Sequence, residues 1–596
     1  MKQLSHKKSL NFFLKQSNRP KYSVHLGHWR LIDSPDFCKD FLSYIAKQAK
    51  TFPCFDEFKT MASYRREKPR KPDREFLDYS CDRYKQGTIR SDLSRAVIYQ
   101  YHLKEYNKKL QAHLQKEDKA YTIKESYSVD SKGYCNYILD NFWGDQKKFF
   151  FDLQPIQLTE KKRKKHTYIN GSTESGKSEL MKTLIYNYLT INPATAVILI
   201  DPHGKIAKEV ARFQENKDSD RLVYINPAGN DTHSPVFNLF EFQPSSKKDL
   251  AKEINCLTDQ LLYAFREILG QEGDFSTQMK TILKYCIHSL LLMPNAHIWH
   301  LQQFMDDEEG KPLVAWSIRN AIDPTDVYFF KKDFYSKHYK QSKRSIRVRL
   351  QSIFGSPVLS RFLLGEKSSF SIEELIDQRK LIIFNLSRGA LGYNTSEVLG
   401  RLLLAYIQNI AMKRGELTNE ELKATIPVHC FIDEFQHFVT ESVEDVLTES
   451  RKYKFYLTLA HQFLNQIENT KIKNAITGNT GIKITGHQTE LTTLNTIQKL
   501  TEVNPKEIKD LAIGCYHTKV DKVPTSFIIQ NFQNLLDNTN GIDRQGWETE
   551  QKRQAEKYYL PLKSFKERSK ILESSPLGDN KEDDNKERAR TYSRLN

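Results

Sequence analysis

Apolar residues along the chain fall into two alternating patterns. Short continuous runs occur at Thr195–Ile200, Leu222–Ile225, Lys380–Leu386, Val428–Ile432, Phe455–Ala460 and Gly481–Thr485. Runs of this length and β-branched content predict strands buried on both faces, as in parallel sheets covered by helices. Between strands, apolar positions recur at three-and-four spacing. Leu180, Leu184 and Tyr188 alternate with Met181, Ile185 and Leu189 after a further strand over His166–Asn170. This alternation predicts an α/β fold with a doubly wound, mostly parallel sheet.

From about 245 to 365 the strand runs stop. Thr277–Leu292 carries Met279, Ile282, Leu283, Cys286 and Leu290 at helical spacing, which predicts an all-helical insertion interrupting the sheet. Residues 1–150 predict a separate N-terminal α+β domain, rich in Tyr, Phe and Lys. It has a Pro-broken loop at Arg65–Pro72, a helix over about 92–117 and no chemistry motif. The implied domains are 1–150, a sheet domain over 151–244 and 366–540, the insertion 245–365, and an extension 541–596. Beyond about 565 the chain is charged and poor in large apolar residues, which predicts disorder.

Charge narrows the partners. The formal net charge of the 596 residues is +17, with pI near 9.2. Such an excess favours polyanions, because each phosphate neutralised releases condensed counterions; a basic, well-solvated surface is the alternative. The eight cysteines are scattered without a CxxC pair, which argues against zinc ribbons and disulfide frameworks and suits a reducing compartment. No apolar run reaches eighteen residues and no signal-peptide pattern opens the chain, so a soluble, cytoplasmic protein is expected, peripheral to a membrane only through partners.

Two stretches carry chemistry. Gly171, Ser172, Thr173, Glu174, Ser175, Gly176, Lys177 and Ser178 match the phosphate-binding loop G-x-x-x-x-G-K-[ST], between a predicted strand and helix as that motif requires. Its glycines let backbone N–H groups turn inward onto phosphate oxygens, and the helix N-terminus adds positive potential. Lys177 would neutralise the β- and γ-phosphates of ATP, and Ser178 would ligate Mg²⁺. Far along the chain, the apolar strand before Asp433 and Glu434 ends in two carboxylates. Asp433 suits the second shell of Mg²⁺, and Glu434 suits the base that positions the attacking water. One strand later, Gln462 can report nucleotide state through its side-chain amide.

Taken together these motifs resemble the HerA/FtsK superfamily of DNA-pumping ATPases, and within it the type IV secretion coupling proteins of conjugation. The resemblance covers about 165–520 and rests on six stretches in order: GSTESGKS, ILIDPHGK, IIFNLSRGALG, FIDEFQHFVTES, SRKYKFYLTLAHQFLNQ and NTGIKITG. It implies a RecA-like motor, ATP and Mg²⁺ as cofactors, and a homo-oligomeric, hexameric ring. An arginine would enter the neighbouring subunit's site, with Arg451 the first candidate and Arg388 the second. Asp201 and His203 of the DPHG stretch would line the ATP site or its coupling loops, with a structural turn as the competing account. The chain departs from the family pattern in lacking opening transmembrane runs, and residues 1–150 match no small β-barrel of the HerA kind.

The densest internal basic stretch, Lys331–Arg349, interleaves cations with aromatics. Lys340, Lys343, Arg344, Arg347 and Arg349 are its candidate DNA contacts, against the alternative of a solvated helix face. The implied task is ATP-dependent DNA translocation for conjugative transfer, with a relaxase or secretion-channel protein as partner. Two alternatives stay open: a HerA-like motor for repair, phage defence or packaging with a nuclease partner, and a regulatory ATP-binding scaffold that moves no DNA.

Overall fold

The structure is a computed structural model, and it describes residues 23–29, 154–159, 164–190, 192–230, 232–242, 250–269, 275–438, 447–462, 467, 470–501, 503–521, 526–531, 535–538 and 541–562. The predicted loop at 65–72, the helix over 92–117 and the tail beyond 565 lie outside them. The strands, in chain order, are β1 Ser23–Trp29, β2 Gln154–Thr159, β3 His166–Asn170, β4 Ala196–Asp201, β5 Leu222–Ile225, β6 His233–Ser234, β7 Leu381–Asn385, β8 Val428–Ile432, β9 Phe455–His461, β10 Thr480–Thr485, β11 Cys515–Val520, β12 Phe527–Gln530 and β13 Leu560–Pro561. They belong to two compact units. The larger comprises the described residues within 164–168, 188–480 and 534–596, and the smaller those within 1–163, 169–187 and 481–533.

In the larger unit the first three residues of β3 start a sheet ordered β3-β9-β8-β4-β7-β5. The pairs β9–β8, β8–β4, β4–β7 and β7–β5 are all parallel. Parallel strands need covered faces, and these runs supply them: every residue of β4, β5, β7, β8 and β9 is buried. The register matches Ile200 with Phe384 and Ile432, and Ile432 with Leu459. The C-terminal ends of four strands are thereby level, and they carry Asp201, Asn385, Asp433 and His461. In open α/β sheets that edge holds the ligand site. The α/β class with a parallel sheet is as the alternation of patterns predicts.

Between Leu250 and Leu363 the described residues of the larger unit form helices joined by turns, without strands. Ser276 and Ser356 cap two of these helices by accepting from Met279 N–H and Leu359 N–H. The helices share one apolar cluster with the sheet, in which Phe304, Phe330 and Phe334 sit with Ile198 and Phe384.

The smaller unit departs from the parallel pattern. Its strands β10, β11, β12, β1 and β2 pair antiparallel in that order. β10 was among the predicted strands; its partner β11 was not, because His517, Thr518 and Lys519 interrupt any apolar run across Cys515–Val520.

The edge strand β5 is closed by side chains instead of another strand. The described part of the extension returns as helix Arg544–Tyr558. Tyr224 N–H donates to Gln554 Oε1 at 3.0 Å, and Gln554 Nε2 donates to Leu222 C=O at 3.0 Å. One buried amide thus stands in for a strand's peptide group. The Tyr559 hydroxyl donates to Tyr224 C=O and accepts from Asn226 N–H, both at 2.9 Å. Unpaired sheet edges invite association, and here the edge is satisfied within the unit. Replacing Gln554 by Leu orphans two buried backbone groups, at about 1–3 kcal/mol each. A clear fall in the unfolding midpoint is expected, larger than for Tyr559→Phe; an unchanged midpoint would refute this role.

Candidate active site

The glycine-rich loop lies in the smaller unit. Gly176 has φ 90°, a left-handed conformation that glycine adopts at little cost. A Cβ on Gly171 would stand 2.5 Å from Ser175 Oγ. The loop is fastened from several sides. Ser172 N–H donates to His487 C=O at 2.8 Å, and Ser175 Oγ donates to Ser172 C=O at 2.8 Å. The Ser175 carbonyl accepts from Gly514 N–H at 3.1 Å and from the Tyr516 hydroxyl at 2.9 Å. Lys177 is buried, and its ammonium donates to the carbonyls of Gly171 at 2.8 Å and Ser172 at 2.9 Å. Helix Lys177–Thr190 starts at that residue. Ser178 is half-buried, and Thr173 and Glu174 are exposed on the loop's crest. Tyr516 and His487 had no motif to mark them; they matter because the fold brings their strands to the loop.

The acidic doublet lies in the larger unit, at the end of β8. Asp433 N–H donates to Ile200 C=O at 3.1 Å, and the Asp433 side chain is buried. Glu434 follows with φ 43° and ψ 48°, a left-handed conformation uncommon for a residue with a Cβ and costing on the order of 1 kcal/mol. Both of its carboxylate oxygens are held by amides: Oε1 accepts from Gln462 Nε2 at 3.0 Å and Oε2 from Gln436 Nε2 at 2.7 Å. Glu434 and Gln462, assigned roles separately in the sequence, are therefore in direct contact.

Comparison with known proteins bears on what this arrangement belongs to. Residues 152–502, more than half of the chain, match the family model for the type IV secretion-system coupling protein DNA-binding domain. The chain belongs to this family. No match was found among curated proteins. Among solved structures it is similar to the plasmid coupling protein TrwB in complex with ADP and Mg²⁺, at 16% identity over 65% of this chain and 89% of that one, with TM-score 0.47. It is also similar to VirB4 of Thermoanaerobacter pseudethanolicus, at 14% identity over 63% and 91%, with TM-score 0.42.

The remaining candidate residues of this coupling-family chain fall in different settings. Asp201 is wholly buried and spent on its own turn. Its Oδ1 accepts from His203 N–H and its Oδ2 from Ala207 N–H, both at 2.8 Å. That is the structural-turn account of the DPHG stretch, with burial pushing the carboxyl up against the opposing backbone donors. His203 is exposed. Arg388 is engaged by its own chain: its guanidinium stacks on the Tyr393 ring at 4.2 Å and donates to His437 Nε2 at 3.0 Å and Glu397 at 3.5 Å. Arg451, on the turn Ser450–Tyr453, is exposed.

The basic stretch requires a correction. Lys343 is buried, paired with Asp307 and set 4.3 Å over the Phe334 ring, so it is a packing cation rather than a phosphate contact. Arg347 pairs with Asp306, and Arg349 donates to Met279 Sδ at 3.6 Å. Lys340 and Arg344 are exposed on helix Lys337–Phe354, with Lys331, Lys332 and Lys337 also exposed. Three-and-four spacing decides which cations of a run turn inward.

Burial leaves a pH signature. His166, His300, His437 and His517 are each lowered from 6.5 to about 4, burial being the largest cause, with Arg451 adding to it at His166 and Arg388 at His437. Lowered folded values mean the unfolded chain binds more protons between pH 6.5 and 4. The stability from these neutral rings is therefore complete above pH 6.5 and is lost as pH falls towards 4. Thermal unfolding midpoints at pH 7.5, 6 and 4.5 should fall progressively; a flat profile would contradict this. Among the described residues no helix is long and apolar enough to cross a membrane.

Proposed function

We propose that the chain is an ATP-dependent DNA translocase of the coupling type, acting in conjugative transfer. The observation that carries this is the fastened glycine loop, with Gly176 at φ 90° and the Lys177 ammonium drawn onto loop carbonyls, in a chain of the coupling-protein DNA-binding family. A Cβ at Gly171 would obstruct this cradle, so the residue types fit a triphosphate.

In this reading Lys177 and the loop N–H groups would bind the phosphates of ATP, Ser178 would ligate Mg²⁺ and Asp433 would serve in its second shell; the ion would supply charge neutralisation for phosphoryl transfer. Glu434 orients the attacking water and accepts its proton, and Gln462 ties that carboxylate to the state of the site. Subunits act as a homo-oligomer, taken as a hexamer, with Arg451 rather than the internally engaged Arg388 reaching a neighbour's nucleotide. DNA is gripped through its phosphates, without base reading, by exposed cations including Lys340 and Arg344. A relaxase or secretion-channel protein is the proposed partner.

The test is ATP turnover by the full chain without DNA and with single- or double-stranded DNA, at low and high salt. Stimulation by DNA that weakens as salt rises is expected. Turnover indifferent to both forms of DNA at low salt would leave a nucleotide-binding scaffold instead of a translocase.

A further inference from the structure

We propose that Gln436 is a positioning residue for the hydrolysis assigned above, holding the Glu434 base through its amide, and that Arg388 acts through it by way of His437. The inference rests on that ATPase reading and deepens it.

The geometry starts at the carboxylate. Gln436 Nε2 donates to Glu434 Oε2 at 2.7 Å, the shorter of the two amide contacts on that group. The opposite flip would set the amide oxygen against a carboxylate oxygen, so chemistry assigns the nitrogen to this contact. The Gln436 Oε1 atom is buried and has no hydrogen-bond partner among the described residues. A buried amide oxygen without a donor is unfavourable, and such an exception calls for a reason. The contact to Glu434 supplies one: the side chain is oriented for its donor. Glu434 itself sits in the left-handed region, where local backbone preference does little to aim its side chain. Its direction is set by what holds its oxygens.

Gln436 is in turn placed by its neighbour. Gln436 Nε2 lies 3.4 Å from His437 Nε2, and Arg388 Nη1 lies 3.0 Å from the same ring nitrogen. Two donors facing one nitrogen require it to be the acceptor, so the ring proton is on Nδ1, which faces Glu397 at 3.8 Å. Glu397 also receives Arg388 and Arg401, each at 3.5 Å, and Arg388 lies against the Tyr393 ring, which is half exposed. A continuous set of polar contacts thus runs from the turn after β7 to the base: Arg388, His437, Gln436, Glu434. Contacts alone do not establish coupling; energetic dependence between its two ends would.

The experiment is a double-mutant cycle on the full chain, measuring kcat and KM for ATP with saturating DNA. Gln436→Ala is expected to lower kcat about tenfold, the effect of losing one oriented hydrogen bond to a charged group, with KM, binding of a fluorescent ATP analogue and the unfolding midpoint little changed. Arg388→Met should lower kcat by a smaller factor. The double variant should be no slower than Gln436→Ala alone, because Arg388 acts through Gln436. Multiplying effects would overturn the relay and return Arg388 to an independent role such as an arginine acting on a neighbour. An unchanged kcat in Gln436→Ala would overturn the positioning role. Lys177→Ala and Glu434→Gln run alongside: if both turn over like the parent, the ATPase reading itself fails, whereas if both are inactive and Gln436→Ala turns over like the parent, only this inference fails.

Discussion

Lys177→Ala is expected to lower ATP turnover by at least about 10²-fold and to weaken nucleotide binding with it. The ammonium is buried and already collected by two carbonyls of the loop, Gly171 and Ser172. Truncation therefore removes a fastening of the loop as well as the charge that would meet the phosphates. Loss of charge stabilisation acts on chemistry; a slackened loop acts on binding. Both parameters should move. Lys177→Arg is expected to rescue poorly, because a planar guanidinium cannot replace a compact ammonium between two carbonyls in a closely packed loop. Equilibrium binding of a labelled ATP analogue and steady-state turnover are the two measurements. Turnover within about twofold of the parent would remove the loop from catalysis and the proposed function with it.

Glu434→Gln is expected to behave differently. It preserves length and shape but removes the base, so turnover should fall about 10²–10⁴-fold while nucleotide binding persists. The environment sharpens this. Both oxygens of Glu434 accept from amides, Gln462 and Gln436; a third amide there has one acceptor oxygen and sets its NH₂ against the NH₂ of one of them, so one contact is lost. The variant should thus trap the bound state, and a chain that binds but does not turn over is the diagnostic outcome. If binding is lost to the same degree as in Lys177→Ala, Glu434 is holding the loop or the metal rather than orienting water.

These two residues were legible in the sequence for a simple reason. A phosphate-binding loop is a local object, eight residues whose conformation follows from two glycines and the helix they open, and its spacing survives in one dimension. The doublet at 433–434 was legible because a continuous apolar run before it marks a buried strand end. Gln436 and Tyr516 were not legible. Gln436 is two residues past the doublet, in a turn where a polar residue is unremarkable until Glu434 adopts φ 43° and brings its Oε2 within 2.7 Å of that amide. Tyr516 lies 341 positions from the carbonyl it serves, on a strand with no apolar run to announce it.

The basic helix is instructive in the other direction. Sequence supplies the number of cations between Lys331 and Arg349 but not their facing. Lys343 pairs inside with Asp307 and rests over Phe334, while Lys340 and Arg344, three positions before it and one after, face solvent. Charge density along a chain is a sum; a nucleic-acid surface depends on direction.

Sequence alone was enough to establish the α/β class and the helical stretch interrupting it, and to locate the glycine loop and the acidic strand end, because each depends on residues adjacent in the chain or spaced by one helical or strand period. Tertiary structure alone decided that Asp201 serves its own turn, that Arg388 is held by Glu397, His437 and Tyr393, and that Gln554 closes the edge of β5. Each of those depends on hydrogen-bond partners that fold topology selects from many chemically equivalent ones. A carboxylate, a guanidinium or an amide does not encode its partner; burial leaves it only the groups within reach.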